Sequence, residues 1–148
     1  MKYQFALLSV LAACSTQAGP SSPVPTVTLT APKIVTGVWH VIDTSHVLSC
    51  AYDLVATVTS GHAGQDVVEW SGATITLEAP PAQPAVQPYK TSYVAEWFGG
   101  TKLMSGASAT GHMRIGRERP FTAEHELRYN TSRGSASVAT TSVECVAP

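Results

Sequence analysis

Along residues 49–58, SCAYDLVATV, apolar and polar positions alternate: Cys50, Tyr52, Leu54, Ala56 and Val58 fall on one face, Ser49, Asp53 and Thr57 on the other. A period of two is that of a half-buried strand, because successive side chains leave a strand on opposite sides. The same period runs through DVVEWSGATITL, 66–77, in two registers. Val68 and Trp70 share a face, and Ala73, Ile75 and Leu77 share one after Gly72. A bulge at Ser71-Gly72 reconciles the two. Between these strands the glycines of SGHAGQ, 60–65, predict a turn. FTAEHELRYN and GSASVATTSVECV, on either side of Thr131-Ser132-Arg133, predict a terminal hairpin. Further strands are expected at TVTLT (26–30), TGVWHVI (36–42), TSYVAEWF (91–98) and GASATGHMRI (106–115). No stretch combines caps with a 3.6-residue repeat, so no helix of useful length is predicted.

Several short strands with turn signals between them, and no room for crossover helices, give an all-β antiparallel sandwich over residues 26–148. An inward cysteine at 50, a tryptophan at 70 one strand later and a second cysteine at 145 resemble the Cys, Trp, Cys order of immunoglobulin-like domains. The resemblance implies a β-sandwich with one intradomain disulfide. The chain departs from the family in two respects. Cys145 lies in the last predicted strand rather than the penultimate one, and Val143, two residues before it, is not the tyrosine of the tyrosine corner.

Ahead of this domain, Phe5–Ala13 is apolar except for Ser9 and follows Lys2 and the amino terminus. Nine residues of helix rise only about 14 Å, too little for a bilayer core of roughly 30 Å. The pattern is that of an export signal. Its end, Leu11-Ala12-Ala13-Cys14, resembles the lipobox of bacterial lipoproteins; an ordinary secretory signal cleaved after small residues is the alternative. The resemblance implies a signal peptide over 1–13, lipidation at Cys14, and a membrane partner reached through several acyl chains, which hold far more firmly than one. Ser15, rather than Asp, implies the outer membrane in a two-membrane cell. A single basic residue before the apolar run is a departure from the pattern. STQAGPSSPVP, 15–25, then reads as a flexible tether.

With Cys14 consumed by lipid, Cys50 and Cys145 remain as an even pair in an exported chain, where disulfides persist. Two unpaired buried thiols are the alternative.

Composition narrows the partner classes. Charged residues are 13% and the net charge is −1, so there is no electrostatic footprint for nucleic acid and no basic attraction to anionic lipid. The histidines at 40, 46, 62, 112 and 125 form no HExxH, and no Cys-x-x-Cys is present, so nothing in the sequence calls for a metal or other cofactor. In Glu124-His125-Glu126 the histidine faces away from both glutamates if the segment is a strand, which reads as a solvated strand face. No GxSxG elbow or phosphate loop appears. An enzyme would need a site assembled from dispersed residues such as His62, Asp66 and His112.

Recognition is left to loops and rings. APPAQPAVQP, 79–88, holds four prolines, which stiffen it and keep it out of a sheet. HMRIGRERP, 112–120, brings Arg114, Arg117 and Arg119 close together, at what also reads as a solvated hairpin end. Trp39, Trp70 and Trp97 offer flat faces suited to a glycan, although Trp70 reads better as core. Trp97, before Phe98-Gly99-Gly100, is expected near the sandwich rim and is the preferred partner-binding ring. The expectation is a lipid-anchored, non-catalytic binding or structural module of the bacterial envelope, engaging another envelope protein or a glycan. An inhibitor or assembly factor acting through a sheet edge or loop, and an enzyme, are the alternatives.

Overall fold

In chain order the strands are β1 (Thr26–Thr30), β2 (Ile34–Thr36), β3 (Val38–Ile42), β4 (Ser45–Thr59), β5 (Val67–Glu78) and β6 (Ala85–Tyr89). A helix, α1 (Thr91–Phe98), precedes β7 (Lys102–Met104), β8 (Ser108–Arg117), β9 (Phe121–Thr131) and β10 (Ala136–Val146). These come from a computed structural model that describes residues 23–60 and 64–148. The signal and lipobox residues, most of the tether, and positions 61–63 of the predicted turn lie outside the described residues.

The strands form two sheets. In the first, β4 is the long central strand: β8 pairs along one edge, while β1 and β3 share the other, β1 against Val55–Thr59 and β3 against Ser45–Ser49. In the second the order is β2-β10-β9-β5-β6, with β7 also on β5. Every pairing is antiparallel except β2 with β10, which is parallel. The inward residues of β4 predicted from alternation, Cys50 through Val58, are all buried. So are Val68, Trp70, Ala73, Ile75 and Leu77 of β5, and its register shifts between Trp70 and Gly72 as the bulge requires. Gly72 has φ 148°, a backbone conformation that side-chain-bearing residues rarely adopt.

Three connections tie the sheets through one shared core. Cys50 of β4 and Cys145 of β10 form a disulfide with Cα atoms 6.0 Å apart. The Tyr129 hydroxyl of β9 accepts the Val27 N–H of β1 at 3.1 Å, and Tyr52 of β4 meets His125 of β9. The cysteine pairing expected from parity is thus present, and both residues are buried.

Three local expectations are overturned. TSYVAEWF is a helix, not a strand. Val94, Trp97 and Phe98 lie at helical spacing on one side, and Gly99, at φ 73°, ends the helix in a left-handed cap. Eight residues cannot sustain a helix in water, so packing decides the conformation. Val94 is fully buried, and a Cβ at Gly111 of β8 would sit only 3.3 Å from the Trp97 side chain, so the helix lies directly against that strand. The proline segment 79–88 is not wholly a loop, because its last residues enter the sheet as β6, with Pro88 opposite Thr74. β6 is an edge strand, the setting in which a sheet accommodates proline. Finally, 112–120 is not a hairpin end: β8 belongs to the first sheet and β9 to the second, and residues 118–120 cross between them.

Candidate functional site

That crossing brings the two loops singled out in the sequence to one place. A cleft of about 330 Å³ opens between the proline segment and the end of β8, with Val47, Leu77, Ala82 and Ala85 as its apolar lining. Gln83, Arg117, Glu118 and Arg119 supply its polar groups. Each wall has a local cause. Leu77 is the last inward residue of β5, Val47 lies near the start of β4, and Gly116 leaves the β8 backbone bare where a Cβ would strike Val47 at 2.8 Å.

Arg117 and Arg119 give the cleft an excess of positive charge over the single carboxylate of Glu118. Arg117 is half-buried and Arg119 exposed. The ion pairs among the described residues are Lys102–Glu69, His112–Asp53, Arg128–Glu126 and Arg133–Asp66. Neither cleft arginine takes part in them, so both guanidinium groups remain available to a ligand. A guanidinium fork matches a carboxylate or phosphate in a bidentate pair, and an apolar floor beside it suits a group with an anionic end and an apolar body. A larger groove of about 580 Å³ along β10 is lined largely by small residues and carries one charge of each sign, Lys33 and Glu144.

The remaining predicted residues are dispersed. Arg114 alternates onto the exposed face of the first sheet and does not line the cleft. Trp97 is half-buried in α1, its ring 4.8 Å from that of Tyr89, and packs against the core rather than standing at a rim. Trp70 is 2% exposed and stacks at a tilt on Phe98, while Trp39 lies exposed on β3, so the three tryptophans make no common glycan platform. His62 and Cys14 lie outside the described residues. Asp66 is held by Ser60 and Arg133, whereas His112 pairs with Asp53 at 2.6 Å on the exposed side of the first sheet, so these two do not converge. Among the described residues no three potential metal ligands are grouped.

His125 corrects the reading of Glu124-His125-Glu126. The alternation is as expected, but the histidine occupies the buried face and only the glutamates are outside. Its Nε2 lies 2.6 Å from the Tyr52 hydroxyl. Burial lowers the imidazole pKa from 6.5 to about 4 and pushes the Tyr52 hydroxyl well above its ordinary value. The signal was in the sequence: Phe121, Ala123, Leu127 and Tyr129 share the parity of His125.

No family model matches the chain, and no curated protein matches it. Solved structures share the fold, among them the following two. The Northeast Structural Genomics Consortium target SoR45 is 7% identical over 84% of this chain and 88% of its own, with a TM-score of 0.61. A Bordetella pertussis protein provisionally called ApaA is 13% identical over 85% of this chain and 98% of its own, with a TM-score of 0.58. At such identities the likeness concerns the fold alone.

Proposed function

We propose that this chain is a lipid-anchored, non-catalytic binding module of the bacterial cell envelope, built as an immunoglobulin-like sandwich, whose partner docks at the Arg117–Arg119 cleft. The observation that carries the reading is the Cys50–Cys145 disulfide. It consumes two of the three cysteines, fits an oxidising compartment, and leaves Cys14, at the end of the apolar run, as the remaining one. Two sheets sharing one core, with a disulfide between them, support the immunoglobulin-like assignment, although the second cysteine is in the last strand. The convergence of both candidate recognition loops on the cleft favours partner binding there. An acidic segment of another envelope protein suits its chemistry.

Cys14→Ala in the full chain, followed through detergent-phase partitioning, tests the anchor. The parent is expected in the detergent phase and the variant in the aqueous phase. Equal partitioning of both into the detergent phase would refute lipidation at Cys14.

A further inference from the structure

The richest exposed apolar surface among the described residues lies on β3 and at Ile34. Ile34 is 61% exposed, and along β3 Val38, Trp39, Val41 and Ile42 are 59, 39, 67 and 57% exposed. Among the described residues β3 bonds only to β4, through a two-residue turn in which Asp43 takes φ 55°, and every one of its residues is exposed. Its outer edge therefore carries unpaired backbone donors and acceptors, with no proline, lysine or bulge in the strand to blunt them. Such an edge is a template for another strand.

We infer that β3 pairs antiparallel with β3 of a second copy of this chain, about a two-fold axis at His40, and so joins two sheets into one. The strand is complementary to itself. Val38-Trp39-His40-Val41-Ile42 laid against its own copy sets Val38 opposite Ile42 and Trp39 opposite Val41, apolar against apolar on both faces, while His40 meets its copy on the axis. A two-fold interface requires this correspondence of one patch with itself. Aromatic and β-branched residues facing one another are also favourable cross-strand neighbours.

A membrane fits this edge less well. β1 enters against the Thr59 end of β4 and the hairpin leaves from its Ser45 end. At about 3.3 Å per residue those ends are roughly 46 Å apart, so the hairpin lies far from where the N-terminal segment joins the domain. Size sets the strength. Residues 34–46 supply about half of the twenty to thirty residues a side found in a standard interface, which places the pair among weak associations that rise with local concentration. β3 borders the cleft through Val47, the partner of His40 on β4, but the pairing requires neither a ligand in the cleft nor the anchor.

Cysteine cross-linking of the purified full chain tests it. Residues directly opposite in an antiparallel ladder have Cα atoms about 4.5–5.5 Å apart, within disulfide reach. On oxidation His40→Cys should give a covalent dimer linked through position 40, well above the parent chain, which shares Cys14. Val38→Cys should not, since its copies would stand four residues out of register, about 13 Å apart. Adding Trp39→Asp to His40→Cys should suppress the dimer. Intact mass of the Cys50–Cys145 peptide pair verifies the fold of each variant. Cross-linking by His40→Cys no greater than by Val38→Cys, in chains that keep the native disulfide, overturns the proposal.

Discussion

The Tyr52 hydroxyl and His125 Nε2, 2.6 Å apart, form a buried polar contact between the two sheets, with the rings edge to face at 5.7 Å. A neutral imidazole with its hydrogen on Nδ1 accepts a hydrogen bond from the Tyr52 hydroxyl through Nε2, whereas a protonated one would place an unpaired charge in the core.

Acid should therefore weaken the domain. The folded-state pKa of His125 is about 4 against 6.5 unfolded, so the unfolded chain binds the extra proton first as pH falls. Stability is full above about pH 6.5, is lost progressively down to about pH 4, and the loss attributable to this residue is on the order of 3 kcal/mol. Denaturant melts across that range check it. Tyr52→Phe combined with His125→Leu should flatten the slope, and an unchanged slope would assign the acid sensitivity to other groups.

The disulfide closes a span of 95 residues between the sheets. Reduction should lower stability by about 2–5 kcal/mol while leaving far-ultraviolet circular dichroism that of a β protein, because strand pairing and apolar burial persist. Paired denaturant melts with and without reductant measure it; a loss of the β signal under native conditions would mean that the sheets do not survive without the bridge.

Trp70 and Trp97 should differ in degree rather than in kind. Trp70→Ala empties a fully buried site and should cost about 3–5 kcal/mol. Trp97→Ala strips a half-buried ring from Tyr89 and from the face that holds α1 to the core, and should cost roughly half as much. Thermal midpoints order the two. A Trp97→Ala variant as stable as the parent would return that ring to the surface role suggested by its sequence context.

Much of the fold was legible because strands half-buried on one side write their period into the chain. β4 carries six inward residues in strict alternation, Leu48 through Val58, and Gly72 marks the bulge of β5. The helix was not legible, because Tyr93, Val94, Trp97 and Phe98 are residues that favour strands, and only packing against β5, β6 and β8 makes the segment helical. For the site, sequence reasoning found two of its residues, Arg117 and Arg119, and the loop facing them. Closeness in sequence alone groups Arg114 with them. β8 in fact runs on to Arg117, so Arg114, three positions earlier, has the opposite parity and stays on the exposed face, outside the cleft. Nor does a local pattern reveal that residues 79–85 and 116–119 meet, since that depends on how the chain passes between sheets.

The cleft makes the sharpest claim about partner binding. Arg117 and Arg119 enter no ion pair with the described residues, so truncating them should leave the thermal midpoint within a few degrees. A hydrogen bond to a charged group is worth about 1.5–3 kcal/mol, so Arg117→Ala or Arg119→Ala should weaken capture of an acidic envelope partner by about tenfold or more. Arg114→Ala is the matched control, since it removes the same charge from an exposed position that does not line the cleft. Pull-downs from detergent-solubilised envelopes with the full chain, at two salt concentrations, compare the three variants. Equal weakening by Arg114→Ala would show that overall charge, and not the cleft, governs the interaction.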